Sequence, residues 1–187
     1  MNARETLLQM ILEKSYQEGD FTLSSGQKSS FYIDLKPTIL HPVGAKAIGE
    51  LAAEWLAGLS VAFGGVGGLT LGADPIVMAV SRGLLDKGVI LPATMIRKEP
   101  KKHGTSRYIE GVENFSSGTN FIVVEDVVTT GGSAKKAIEI LRNEGFKVSH
   151  VFSIVDREAG GEDAFKALGV TFHSLFTITE IKKAFRK

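Results

Sequence analysis

At 187 residues, with 43% hydrophobic and 23% charged content, the chain fits one globular domain of ordinary size and is too short for two large ones. No apolar run approaches the roughly 20 residues of a membrane span, and the lack of cysteine excludes disulfides, thiolate metal sites and a thiol nucleophile. A net charge of +1 gives no general attraction to nucleic acid, and an amino terminus without a secretory layout makes the cytoplasm the expected location.

The first predicted element is a helix over residues 3–17, where Leu7, Leu8, Ile11 and Leu12 form an apolar face and Gly19-Asp20 ends it. Residues 21–23 and 31–34 read as short strands around a polar turn at 24–28. Pro42 suits a helix start, and Ile48, Leu51, Ala52, Trp55 and Leu56 line one side of the helix that follows. A strand at 61–63 is expected to run into the glycine-rich stretch 64–68, followed by a helix through Ile76, Ala79 and Leu84. Another strand, 93–96, leads into a basic segment. Between Arg97 and Arg107 stand five Lys or Arg residues against the single acid Glu99, a local excess of +4, which leaves 1 − 4 = −3 for the rest of the chain. An apolar run at 121–124 reads as a buried parallel strand, and Ala134, Ala137, Ile138 and Leu141 sit at helical spacing after it. A strand at 148–155, another near 170–175 and a last helix from about 179 complete the order.

Strands alternating with helices across residues 42–155 imply βαβ units and a parallel sheet covered on both faces, with ligands beyond the strand carboxyl ends. Four segments fall there: 64–68, 97–103, 125–133 and Asp156-Arg157. No linker or repeat divides the chain, so residues 1–187 are expected to form a single domain, with a core at about 42–157 and a small hood from about 1–40 and 158–187 over the ligand end.

Residues 121–133, FIVVEDVVTTGGS, join three chemical devices without a gap. After the strand come the acids Glu125 and Asp126, and then Thr129, Thr130, Gly131, Gly132 and Ser133 open a helix whose free amides and hydroxyls suit a phosphate. Two carboxylates beside a phosphate cradle would repel a bare phosphate, so they serve another part of the ligand, for which ribose hydroxyls are the natural candidates. A Walker A reading fails because no Lys follows the glycines. An ordinary buried strand and capped helix would explain the apolar run but not the acid pair with TTGG.

This segment resembles the signature of the type I phosphoribosyltransferases, in which the acid pair holds the 2- and 3-hydroxyls of phosphoribosyl pyrophosphate (PRPP) and the TTGGS loop holds its 5-phosphate. The resemblance implies an α/β, parallel-sheet, Rossmann-like core with a hood. Four further segments narrow the acceptor: FTLSSGQKSSFYIDLK at 21–36, GGVGGLTLGADPI, RKEPKKHG at 97–104 and Asp156-Arg157 are similar to those of the orotate phosphoribosyltransferases. That family joins orotate to PRPP, giving orotidine 5-monophosphate and pyrophosphate in pyrimidine (UMP) biosynthesis, with magnesium.

By the same resemblance Arg97, Lys98, Lys101 and His103 contact pyrophosphate, and Lys98, Lys101, His103 and Asp126 are the catalytic residues. The amides of Gly67 and Gly68, with Glu125, Asp126, Val127, Val128, Thr129, Thr130, Gly131, Gly132 and Ser133, complete the PRPP site. Thr129, Arg157, Lys28 and Tyr32 are the residues for orotate, Arg157 binding its carboxylate through a planar fork. Read without the family, an Arg after an internal strand is as readily a structural ion-pair partner, Tyr32 a core residue, and His103 a surface histidine. Magnesium is expected to be held by PRPP and pyrophosphate oxygens rather than by side chains. The loop bearing Lys101 and His103 is expected to cross into the neighbouring subunit of a homodimer, with no nucleic-acid or membrane partner. Two departures stand out: Ser24 occupies a position where some relatives have Lys, and residues 66–69 lack the Lys found there in some relatives. The alternatives are a phosphoribosyltransferase for another base and a PRPP-sensing regulator. The first does not need Arg157 or RKEPKKHG; the second should carry a basic face elsewhere, and outside the loop the chain is slightly acidic.

Overall fold

The computed structural model describes residues 1–22, 26, 28–100 and 107–186. Helix α1 (Ala3–Lys14) starts at a capping box in which Asn2 accepts from the Glu5 amide and Glu5 accepts from the Asn2 amide. It ends earlier than its periodicity suggests because residues from Tyr16 onward are extended: β1 (Tyr16–Thr22) pairs antiparallel with β2 (Lys28–Ile33) in a separate two-stranded sheet. A short helix α2 (Lys36–Ile39) and then α3 (Pro42–Ala57) lead into the central sheet.

That sheet contains β3 (Gly65–Leu69), β4 (Ala93–Ile96), β5 (Ile109–Glu110), β6 (Asn120–Val128), β7 (Lys147–Asp156) and β8 (Thr171–Thr177) in the order β5-β4-β3-β6-β7-β8. All neighbours are parallel except the pair β4 and β5. Helix α4 (Asp74–Leu85) links β3 to β4, α5 (Gly132–Asn143) links β6 to β7, and α6 (Gly161–Ala167) links β7 to β8. The carboxyl-terminal helix α7 (Ile178–Phe185) returns towards α1, where Arg4 donates to Leu175 O and pairs with Glu180.

The alternating faces of β6 show how the core is divided. Ile122 and Val124 pack with α3 and α4, while Phe121 and Val123 pack with Ala134, Ala137, Ile138 and Leu141 of α5, all four of which are buried. Burial on both faces is why this strand reads as an unbroken apolar run.

Three expectations change. Residues 61–63 are not a strand; the glycine stretch itself is β3, completely buried between β4 and β6. Only glycine fits there, since a Cβ on Gly65 would lie 2.4 Å from the Phe121 ring and one on Gly68 2.3 Å from Ala73 Cβ. Strand β6 also continues through Glu125 and Asp126 to Val128 instead of ending before the acids. Finally, β8 lies in the central sheet, so not all of residues 158–187 stand apart from the core.

Candidate active site

Strand β3 connects to β4 on one side and has β6 on the other, so the chain order reverses between β3 and β6, and a crevice opens at their carboxyl ends. The chain leaving β3 passes a cis peptide at Thr70-Leu71 and packs directly on the acid pair: a Cβ on Gly72 would fall 2.8 Å from the Asp126 carboxylate. Gly67 and Gly68 do not lie in this turn. They sit within β3, buried and in register with Thr94 and Met95, so the backbone that reaches the crevice is that of Thr70, Leu71 and Gly72.

Glu125 and Asp126 leave the strand on opposite faces. Asp126 meets Gly72 and accepts from the Val127 amide at 2.8 Å. Glu125 is 7% exposed and leaves Oε2 without a partner, as does Ser153 Oγ at the matched position of β7. Burial above all, and then the neighbouring Asp126, pushes the Glu125 carboxyl up to about 8. At neutral pH this favours the protonated form of Glu125, and the adjacent Asp126 side chain adds to the upward push.

Glu125, Val127, Val128, Thr129, Thr130, Gly131, Gly132, Ser133 and Ala134 line a pocket of about 180 Å³. Gly131 is in the left-handed conformation at φ 81° and precedes α5 with no side chain capping the helix start. The first-turn amides are thus open to the pocket, the arrangement that binds an anion. A Cβ on Gly131 would also press to 2.9 Å against the Phe165 ring.

Arg157 follows β7, and its amide donates to Val128 O at 2.8 Å, which fixes it next to the strand bearing the acid pair. Its guanidinium has no ion-pair partner among the described residues and lies 5.0 Å from the centroid of the Phe31 ring. The ion-pair reading of this Arg finds no carboxylate to support it. Tyr32 is 44% exposed, packed on Phe21 at 5.6 Å, and so is not a core residue; Lys28 donates to Thr22 Oγ1 at 3.0 Å. Both point to the open side of β2, opposite Phe31.

Among the basic residues, Lys98 is near enough for its charge to favour ionised Glu125, and its carbonyl accepts from Lys136 Nζ at 2.7 Å. Arg97 is committed to an ion pair with Glu110 of β5, Nε to Oε1 at 2.5 Å. Lys101, His103 and Ser24 lie outside the described residues. One cation near the site escaped the sequence reading. Lys36 pairs with Asp34 at 3.1 Å and is held above its ordinary range chiefly by that bond, with Asp126 and Tyr32 adding smaller contributions. Its signal was only the spacing Asp34-Leu35-Lys36 at the end of β2.

Residues 41–174 match the family model of the phosphoribosyl transferase domain. The orotate phosphoribosyltransferase of Nostoc sp. is 47% identical over 98% of this chain and 87% of its own length. That of Synechocystis sp. is 48% identical over 98% and 91% respectively. Among solved structures, the orotate phosphoribosyltransferase of Mycobacterium tuberculosis in complex with 5-phospho-alpha-D-ribosyl 1-diphosphate superposes with a TM-score of 0.80 at 32% identity, covering 96% of this chain and 99% of that one.

Proposed function

The chain belongs to the orotate phosphoribosyltransferases, and we propose that it carries out that family's reaction, transferring ribose 5-phosphate from PRPP to orotate with release of pyrophosphate. The observation that carries this reading is the crevice between β3 and β6, where the acid pair, the uncapped start of α5 and the unpaired Arg157 converge at neighbouring strand ends.

In the reaction a ring nitrogen of orotate loses its proton to solvent and forms a bond to the ribose anomeric carbon as the bond from that carbon to the pyrophosphate oxygen breaks, the electron pair leaving with pyrophosphate. Positive charge builds on the ribose ring and negative charge on the leaving group. The Thr129, Thr130, Gly131, Gly132 and Ser133 loop grips the 5-phosphate, and Asp126 with Glu125 accepts and donates hydrogen bonds at the ribose hydroxyls, which fixes the ring while the acceptor approaches. Lys98, Lys101 and His103 stabilise the departing pyrophosphate, joined by Arg97 when it exchanges Glu110 for the ligand, with the backbone amides of Leu71 and Gly72 in place of Gly67 and Gly68, the Thr70 amide already donating to Ile96 O. Arg157 takes the orotate carboxylate, Thr129 the pyrimidine edge, and Tyr32 and Lys28 border the base.

Among the described residues no group of three or more His, Asp or Glu side chains could hold a metal. Magnesium prefers diphosphate oxygens and water with few protein carboxylates, so this chain fits an ion that arrives on PRPP. When bound it neutralises charge on the leaving group. A hood formed by the β1 and β2 pair with α1 and α7 closes the ligand end, supported by the contacts of Arg4 with Glu180 and of Arg186 with Glu18. The enzyme works as a homodimer whose 97–104 loop serves the neighbouring site. Leu71, in the chain leaving β3, and Leu40, Val43 and Met78 at α2, α3 and α4 are exposed apolar side chains that support a contact surface. No helix among the described residues is long and apolar enough to cross a membrane.

The test is the ultraviolet change of orotate on mixing with PRPP and magnesium, with hypoxanthine and uracil in parallel. Consumption of another base but not orotate would overturn the acceptor; PRPP binding with no base consumed would favour a sensor. For the shared loop, subunits carrying Lys101→Ala are mixed with subunits carrying Asp126→Asn. Random exchange makes half the dimers hybrid with one intact site each, so activity should return to about a quarter of wild type. No recovery in a mixture shown by mass spectrometry to contain hybrids would mean that the loop serves its own subunit.

A further inference from the structure

On the premise that Arg157 receives the acceptor's carboxylate, we propose that Phe31 is the residue that positions Arg157, and that Lys182 of α7 shares the same ring so that the acceptor subsite holds two cations and selects an anionic base.

The geometry begins at β2, where Ser29, Phe31 and Ile33 face inward and Lys28, Ser30 and Tyr32 face outward. Phe31 is stacked on Tyr16 at 6.0 Å, which holds the ring in place. The Arg157 guanidinium carbon lies 5.0 Å from its centroid and Lys182 Nζ lies 4.2 Å from it, both within the range at which a ring quadrupole attracts a cation. These cations come from the end of β7 and from α7, so three separate elements converge on one ring.

Carboxylates that could have neutralised the pair are engaged elsewhere. Glu158, beside Arg157, accepts from the Thr179 amide at 3.1 Å and from the Thr179 hydroxyl at 2.5 Å. Asp156 accepts from the Glu158 amide at 2.8 Å. The Glu158 contact also fastens the turn carrying Arg157 to the start of α7, where Thr177 and Glu180 form a capping box. Turn and helix therefore hold Arg157 and Lys182 in a fixed relation. Two like charges on one ring repel each other, and an arriving carboxylate relieves that repulsion while a neutral base does not. Selection for a charged acceptor follows from this imbalance, independently of the contacts to PRPP.

The test compares Phe31→Leu, Phe31→Trp, Lys182→Met, Arg157→Ala and the double variant Phe31→Leu/Arg157→Ala in steady-state assays with orotate and PRPP varied separately. Phe31→Leu and Lys182→Met should each raise the orotate KM by about 3- to 10-fold, the scale of a lost cation and ring contact. The PRPP KM and inhibition by neutral uracil should stay within about twofold of wild type, Phe31→Trp should restore orotate KM, and Phe31→Leu should add little once Arg157 is gone. If Arg157→Ala raises the orotate KM but Lys182→Met and Phe31→Trp behave as wild type while Phe31→Leu lowers only the melting temperature, Phe31 is a packing residue and the inference falls alone. If Arg157→Ala leaves the orotate KM unchanged, the assignment of Arg157 falls first and this inference with it. Lys182 is half-buried at the surface, so its variant keeps the test alive should Phe31→Leu fold poorly.

Discussion

Replacing Glu125 by Gln should stabilise the protein, and by an amount that grows with pH. The Glu125 carboxyl is raised from an ordinary 4.5 to about 8, first by burial and next by Asp126. Between those values the folded chain keeps a proton that the unfolded chain has released. Because the folded state binds more protons in this window, stability is complete below about pH 4.5 and is lost as pH rises towards 8. At pH 7 the interval above 4.5 is about 2.5 pH units, and at about 1.4 kcal/mol per unit the buried acid costs roughly 3 kcal/mol. At pH 5 the same reckoning gives under about 1 kcal/mol. Gln keeps the shape and never ionises, so it escapes this cost, apart from whatever its amide hydrogens fail to bond. For a domain of this size the gain corresponds to a melting temperature higher by about 6–12 °C at pH 7 and by about 1–3 °C at pH 5. Thermal unfolding of both proteins at the two pH values measures the difference directly. A variant that is no more stable than wild type at pH 7, or whose gain is equal at the two values, would refute the reasoning that Glu125 is held protonated.

Asp126→Asn removes an acceptor that faces the crevice, so kcat/KM for PRPP should fall by about 10- to 100-fold, while the melting temperature at pH 7 should hold or rise because one cause of the raised Glu125 carboxyl is gone; steady-state kinetics and thermal unfolding check it. Gly131→Ala forces a side chain into a left-handed backbone and against Phe165, which should cost about 1–2 kcal/mol in unfolding and raise the PRPP KM by distorting the phosphate loop. His150 and His173 are both held below their ordinary 6.5, by burial first, with Arg4 adding to the effect on His173, which stacks on Trp55 at 4.6 Å. Protonation is disfavoured in the folded state, so their contribution is complete above about pH 6.5 and lost as pH falls below it. A His173→Phe variant should lose less stability than wild type between pH 7.5 and pH 5, measured by urea unfolding.

The parts of this molecule legible in its sequence are those whose physics is local. The chain order of β4, β6, β7 and α5 follows from apolar runs and helical spacing, and the acid pair with its phosphate loop occupies thirteen consecutive residues. What escaped was decided by neighbours distant in sequence. A stretch of Gly-Val-Gly-Gly-Leu has poor strand propensity by itself, yet it is β3 because Phe121, Thr94, Ala73 and Val124 crowd it on every side and leave room for no side chain at the glycines. That misplacement carried into the site, since moving the strand by four residues moves the crevice-facing backbone from Gly67 and Gly68 to Thr70, Leu71 and Gly72. The same holds for the cations. Arg97 follows its strand as expected but is drawn to Glu110 by an antiparallel β5 of two residues, too short to leave a periodic signal. Arg157 reads equally as an ion-pair partner or a ligand residue from sequence; among the described residues it makes no ion pair, and Glu158 beside it is engaged by Thr179. Sheet order brings Gly72 onto Asp126, and packing of β2 and α7 at the end of β7 brings Phe31 and Lys182 to Arg157; neither separation, about 54 residues in one case and more than 120 in the other, leaves a trace in local composition. On the proposed assignment the phosphate and ribose contacts come from one continuous motif while the acceptor contacts depend on long-range packing, which is why substitutions away from the motif, at Phe31 and Lys182, are the ones expected to change selectivity without changing PRPP recognition.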